Sequence, residues 1–411
     1  MAPPGIRNIG LGLCILLGLS LGGLHAAPPR AFPEHILRGA NFGISGGYPG
    51  RYAPEDVSFF ADSWKGNAVR VLINDIVPSV WPYKPDEQTV QDVFRTIDLC
   101  LAQGLYTIFS TSTSFDNNDN FFSNTALRAA YLDFWKQVAA RYAASGPFAY
   151  DILNEPHDNL ADSQWTPYAV TLTAAIRSLD SVHTIIVEPP GWGWPDGFDN
   201  LKPTGDKNTV YSFHFYGPMD FTHQRSGGQM MATTEAQWKS RVYPGTIEGE
   251  YWDKARLRDS IRKAVQFRDR NRVKIFCGEF GVARWAMGAE DWARDFIDAL
   301  EEEHIGWAYY AYREWQHMDI EMDPAERVNP TARGETTPLV RLFKGYFARN
   351  TVPCDFNGDN LQDSRDALDL LLYLRKNLGG LKADFNRDGK SDIRDALSLL
   401  LARLHGGCPP E

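Results

Sequence analysis

Tyr150-Asp151-Ile152-Leu153-Asn154-Glu155-Pro156-His157 is a short apolar run that ends in an amide, a carboxylate and a proline. Proline has no N–H for a central ladder, so a strand must stop there, leaving Glu155 at its C-terminal rim. Lys274-Ile275-Phe276-Cys277-Gly278-Glu279-Phe280-Gly281 has the same design, an apolar run that ends in one acid between glycines. Two strand-end acids suit acid/base chemistry, and they can act together only where a fold gathers strand ends in one place.

Outward from these two runs, strand-like and amphipathic helical stretches alternate. Strands are predicted over 36–42, 68–73, 105–110, 148–154, 184–188, 210–215, 274–279 and 306–312. Helices are predicted over 54–64, 86–103, 125–144, 166–179, 254–270, 289–303 and 339–348, each with apolar spacing of three and four. Such alternation means a closed parallel barrel or a doubly wound sheet. Polar and aromatic residues follow nearly every strand: Asn74, Ser112, Asn154, Glu155, Trp192, His214, Tyr216, Glu279, Arg284 and Glu314. A barrel brings all those ends to one rim, and no glycine-rich phosphate loop follows the first strand. The expectation is an α/β fold, a (β/α)8 TIM barrel over 27–350, with the long stretch 216–252, which carries Gly227, Gly228, Met230 and Met231, shaping a cleft.

The chain has 411 residues, more than one barrel uses, so a small second unit is expected. A net charge of −10 argues against nucleic acid as a ligand, and 43% apolar with 13% aromatic residues supply an ample core. Arg7, the apolar run 9–24 and small Ala26 and Ala27 read as a secretory signal peptide over 1–26, too short to span a membrane, that would carry Cys14 away. The mature protein is therefore expected outside the cell, as a monomer with no membrane span. Of the remaining cysteines, Cys354 and Cys408 bracket the C-terminal segment as a disulfide clasp. Cys100 and Cys277 read as buried thiols, with a bridge between them as the alternative.

Composition changes at Cys354. Asp355-Phe-Asn-Gly-Asp-Asn-Leu-Gln-Asp-Ser-Arg-Asp366 is followed by Ala-Leu-Asp-Leu-Leu-Leu, and Asp384-Phe-Asn-Arg-Asp-Gly-Lys-Ser-Asp-Ile-Arg-Asp395 by Ala-Leu-Ser-Leu-Leu-Leu. The repeat offers oxygen ligands at calcium-loop spacing: Asp355, Asn357, Asp359, Asp363 and Asp366 with the Leu361 carbonyl, then Asp384, Asn386, Asp388, Asp392 and Asp395 with the Lys390 carbonyl. Each loop precedes a single helix and closes on aspartate rather than glutamate, so 351–411 resembles a dockerin domain. That resemblance implies a small all-α module holding two Ca2+ and docking on a cohesin-type scaffold protein. Recognition positions would be Ser364 with Arg365 and Ile393 with Arg394, a pair that differs between the repeats.

Asn154-Glu155-Pro156, His214-x-Tyr216, Gly278-Glu279-Phe280-Gly281 and Arg70, each at a strand end, together resemble glycoside hydrolase family 5 over 36–350. The resemblance implies a retaining β-glycanase that needs no cofactor for catalysis, with Glu155 as acid/base and Glu279 as nucleophile. It implies that Asn154 meets the sugar 2-hydroxyl, that Arg70 keeps Glu279 ionised, and that His214 and Tyr216 position the carboxyls. Two positions depart from the family: Ser110-Thr111-Ser112 stands where a histidine is usual, and Tyr310 where a tryptophan underlies the sugar. Trp81, Trp192, Trp194, Trp285 and Trp315 follow strands and are candidates to stack on sugar faces, whereas Trp64, Trp135, Trp292 and Trp307 are expected in the core. The expected substrate is a β-linked polysaccharide, foremost a β-1,4-glucan, with mannan and other β-glucans as alternatives. A non-catalytic carbohydrate-binding or scaffold-docking protein on a degenerate barrel is the reading of another class. A serine hydrolase would want a nucleophile elbow, and no strand-turn-helix context offers one.

Overall fold

The computed structural model describes residues 32–33, 35–44, 52–112, 121–157, 160–224, 236, 239–325 and 333–350, and positions 394, 395 and 398. The signal-peptide segment, Gly227, Gly228, Met230, Met231, Cys354, Cys408 and the calcium-loop residues other than Arg394 and Asp395 lie outside the described residues.

Eight parallel strands close into a barrel: β1 (Arg38–Gly43), β2 (Ala68–Ile73), β3 (Tyr106–Thr111), β4 (Phe148–Asp151), β5 (Thr184–Val187), β6 (Thr209–Phe215), β7 (Lys274–Phe280) and β8 (Gly306–Tyr309). Each pairs in parallel with the next, and β8 returns to β1 through Arg38 opposite Trp307. The barrel expectation holds, with strand ends shifted by a few residues. Helices over Glu87–Ala102, Thr125–Tyr142, Ala161–Arg177, Ala289–Glu302 and Pro338–Phe347 cover the outside. Asp86, Asn124 and Thr337 cap three of them by accepting a backbone N–H three residues on, which satisfies a donor the helix leaves open.

Three helices depart from expectation. The first turns π-helical over Phe59–Ser63. The helix expected from 166 begins at Ala161 and carries Pro167 inside, because Trp165 is fully buried and its indole donates to the Glu188 carbonyl at 2.7 Å. The stretch 254–270 is two helices, Lys254–Ser260 and Arg262–Asn271, interrupted at Ile261.

Two apolar layers hold the fold. The larger lies between barrel and helices and contains Trp64, Trp135, Trp292 and Trp307, all in the core as expected. Cys100 and Cys277 are buried free thiols, which removes the bridge between them. The smaller layer fills the lower barrel with Ala68, Ile108, Ala149, Ile186, Val210, Phe276 and Ala308, sealed below by Phe32. Side chains two residues apart share a strand face, so the next inward step meets Arg70, Ser110, Asp151, Glu188 and Ser212, then His214. A polar layer thus sits directly on the apolar plug, all of it buried.

Candidate active site

Glu279 enters this layer through an irregularity in β7. Phe213 pairs with Cys277 but His214 pairs with Glu279, so Gly278 is the extra residue of a bulge that turns Glu279 into the mouth. A side chain at 278 would meet Ser212 Oγ at 2.6 Å and His214 Nε2 at 3.0 Å, and only glycine leaves room for the imidazole. The Gly278 carbonyl accepts a hydrogen bond from Asn41 at 2.9 Å, which ties the bulge to β1.

Arg70 is the hub, wholly buried and using both faces of its fork. Its Nε donates to Asp151 at 2.8 Å, and Nη1 donates to Asn41 Oδ1 at 3.0 Å and Glu279 Oε1 at 2.6 Å. Its Nη2 donates to Ser110 Oγ at 3.0 Å, Asn154 Oδ1 at 2.8 Å and Glu188 Oε1 at 2.9 Å. Tyr216 donates its hydroxyl to Glu279 Oε2 at 2.7 Å, so both oxygens of this acid are held.

Glu155 stands at the end of the Asn154-Glu155-Pro156 run with φ 48°, left-handed backbone that a glutamate seldom adopts. Its N–H donates to Glu188 Oε2 at 2.8 Å, and its Oε1 lies 2.9 Å from His214 Nδ1. His214 also lies 3.7 Å from Glu279 Oε2 and, through Nε2, 3.2 Å from Glu188 Oε1. One oxygen of Glu155, one of Glu279 and a ring nitrogen of His214 all fall within 4.8 Å of one another.

The electrostatics separate the acids. Burial pushes the Glu155 carboxyl up to about 7, opposed by the His214 hydrogen bond and reinforced by the Glu279 charge. Burial likewise pushes Asp151 up to about 7. Against the cost of burial, the charges of Glu188 and Glu279 hold His214 well above its usual value. Glu188 is raised by burial, yet His214 and Arg70 bring it below the ordinary carboxylate range. Four acids, Asp151, Glu155, Glu188 and Glu279, therefore share two cations, Arg70 and His214, and the cluster is neutral when two carboxyls hold protons.

The sequence-predicted residues Arg70, Asn154, Glu155, His214, Tyr216 and Glu279 come together here. Tyr310 joins them from the end of β8, its hydroxyl donating to Glu314 Oε1 at 2.9 Å. Of the third-strand serines, Ser110 reaches Arg70, whereas Ser112 donates to Asn74 at 2.8 Å and turns away from the acids. Trp192 is exposed and stacks on His157, with ring centroids 3.3 Å apart. Trp194 and Trp315 are half-buried, and Trp81 is exposed. Trp285 corrects the expectation of a sugar platform: it is buried, packed by Arg284 over its ring and by His317.

Sequence reasoning missed Asp151 and Glu188, and also the part that Asn41 plays. Each lies two residues above a small or apolar inward residue, Ala149, Ile186 and Gly39, so counting by two along each strand would have found all three. Among the described residues no helix is long and apolar enough to cross a membrane.

Comparison with known proteins agrees with this geometry. The chain is 30% identical over 257 residues to endoglucanase C of Acetivibrio thermocellus, covering 56% of this chain and 71% of that one. It is 25% identical over 252 residues to cellodextrinase A of Ruminococcus flavefaciens, covering 57% of this chain and 70% of that one. The fold is similar to that of Cel5A of Thermotoga maritima in complex with cellobiose, with TM-score 0.61, 23% identity, and 75% of this chain and 97% of that one covered. The same protein in complex with mannotriose gives TM-score 0.62 at 22% identity, with 76% and 98% covered. Residues 36–315 match the family model described as cellulase, and with that span holding both strand-end acids, the chain belongs to glycosyl hydrolase family 5.

Proposed function

We propose that the chain is a secreted, retaining endo-β-1,4-glucanase in which Glu279 is the nucleophile and Glu155 the acid/base. The observation that carries this reading is the closeness of the two acids, one oxygen of each within 4.8 Å, which supports the short spacing at which the second carboxylate attacks directly. Their environments support the division of roles. Arg70 and Tyr216 occupy both oxygens of Glu279, while burial lets Glu155 keep a proton to about pH 7.

Glu279 attacks the anomeric carbon as Glu155 protonates the leaving glycosidic oxygen, which forms the glycosyl ester and frees one sugar chain. The ester removes the charge at 279, so Glu155 is left as a carboxylate able to take a proton from water. Water then attacks the anomeric carbon, the ester bond breaks, and Glu155 regains its proton. Two inversions give net retention. Asn154, its Oδ1 held by Arg70, keeps an amide N–H to offer the 2-hydroxyl. Tyr310 supplies an aromatic face under the sugar in place of an indole, and Trp192, Trp194 and Trp315 line further contacts. No step draws on a cofactor.

The names of the relatives support β-glucan as substrate. The mannotriose complex of the Thermotoga maritima protein favours a second reading, a β-mannanase. A binding-only role on a degenerate barrel is opposed by the intact acid pair. The test sets carboxymethylcellulose, glucomannan and galactomannan side by side and follows the configuration of the first product by proton NMR. Fastest cleavage of carboxymethylcellulose with β product supports the reading; α product, or binding without cleavage, overturns it.

The repeat at 355–366 and 384–395 supports a dockerin-like module that holds two Ca2+ and docks on a cohesin-type scaffold, with Cys354 and Cys408 as its clasp. Calcium titration should give two sites, and cohesin capture should vanish in chelator; capture that survives chelation contradicts the module. The apolar leader supports secretion, which N-terminal sequencing of secreted protein tests, with a start near residue 27 expected.

A further inference from the structure

We infer that Glu188, at the C-terminal end of β5, is a positioning residue of this reaction: its carboxylate holds the backbone and the imidazole that together aim the Glu155 carboxyl. The inference rests on the reading of Glu155 as acid/base. Glu188 is fully buried, and its two oxygens serve different partners. Oε2 accepts the Glu155 N–H at 2.8 Å. Oε1 lies 2.9 Å from Arg70 Nη2 and 3.2 Å from His214 Nε2. The backbone of Glu188 is fixed in turn, since its carbonyl accepts the Trp165 indole at 2.7 Å.

Both routes from Glu188 lead to the acid. Glu155 sits at φ 48°, a sparsely populated conformation that persists only when the surroundings over-determine it. Among the described residues its N–H has no other hydrogen-bond partner, so Glu188 Oε2 is the anchor that keeps residue 155 turned toward the mouth. Glu188 Oε1 sets a negative charge 3.2 Å from the second nitrogen of the imidazole, an ion-pair contact without hydrogen-bond alignment, while Nδ1 faces Glu155 Oε1 at 2.9 Å. The nucleophile depends on Glu188 far less. Arg70 keeps Asp151, Asn41, Ser110 and Asn154 as partners besides Glu279, and Tyr216 holds the second Glu279 oxygen. Loss of Glu188 therefore loosens the acid and leaves the nucleophile seated. The site is built around this carboxylate: a side chain at Gly193, where φ is +69°, would come within 3.0 Å of Glu188 Oε2 and 3.3 Å of the His214 ring.

An acid/base defect has a signature that a folding defect lacks. A poor leaving group needs a proton and an activated aryl leaving group does not, so the loss should depend on the substrate. Azide attacks the glycosyl ester at the anomeric carbon, expels the Glu279 carboxylate and needs no base, giving a β-glycosyl azide. Wild type, Glu188→Gln, Glu188→Ala and Glu155→Ala would be assayed on the polysaccharide that wild type cleaves fastest and on the matching dinitrophenyl glycoside, with and without azide. Both Glu188 variants are expected to lose about tenfold or more on the polysaccharide, a part of the range general acid catalysis supplies. They should lose much less on the aryl glycoside and form glycosyl azide. Equal loss on both substrates without an azide response, or no loss on either, overturns the inference. Glu188→Gln keeps the side chain's shape and decides the matter where the alanine variant does not fold. If Glu155→Ala itself lacks this signature, the acid/base reading falls, and the role of Glu188 with it.

Discussion

Arg70 Nη1 donates to Glu279 Oε1 at 2.6 Å with the guanidinium wholly buried, and the same fork reaches Asp151 and Glu188. A buried cation with three acids cannot be exchanged for a point charge, because lysine cannot reproduce the fork. Arg70→Lys is expected to cut kcat by at least about a hundredfold, and Arg70→Met to destabilise the fold by about 3–5 kcal/mol through the acids left unpaired. Steady-state kinetics and thermal melts of both variants check this.

Burial raises Glu155, Asp151 and Glu314 each to about 7. Each binds its proton more tightly in the folded chain than in the unfolded one, where carboxyls titrate near about 4. Their contribution to stability is thus fully present below about pH 4 and lost as pH rises through about 7. For these three groups the melting temperature should fall between pH 5 and pH 8, and Glu314→Gln should flatten that slope. Activity should fall as pH rises through about 7, where Glu155 loses the proton it must donate. A melting temperature that climbs over this range in the wild type and is unchanged in slope by Glu314→Gln would contradict the assignment.

Gly278→Ala places a methyl group 2.6 Å from Ser212 Oγ and 3.0 Å from His214 Nε2. Overpacking at such a site costs about 1–3 kcal/mol, and displacement of the imidazole adds a loss of kcat beyond the loss of stability. Melting and kinetics below the melting range separate the two effects.

Tyr310→Phe keeps an aromatic face but leaves Glu314 without its hydroxyl donor, and among the described residues Glu314 Oε2 already lacks a partner. The expected cost is about 1–3 kcal/mol of stability with KM near that of wild type. Tyr310→Ala removes the face itself and should raise KM. If both variants raise KM alike, the ring is not a platform.

The barrel was legible because each strand ends in a turn signal and each helix carries its own apolar stripe. The six motif residues were legible because their spacing survives in one dimension. Glu188 could be counted as an inward strand-end acid two residues beyond Ile186, but its partners could not be read, since only the closed barrel brings it beside His214 and Arg70, from β6 and β2. Trp285 misled for the same reason. It follows a strand like Trp192, yet Arg284 and His317 cover it, and neither contact shows in the order of residues. The break at Ile261 left no mark either, because the apolar spacing runs on through it.

The central claim, that Glu279 forms a covalent bond to the sugar, is tested most directly by a slow mechanism-based substrate. A dinitrophenyl 2-deoxy-2-fluoro-β-cellobioside should inactivate the enzyme with release of one equivalent of dinitrophenolate, and peptide mapping should place the sugar on Glu279. Label on another residue, or turnover without any covalent adduct and with inverted product, would contradict the account.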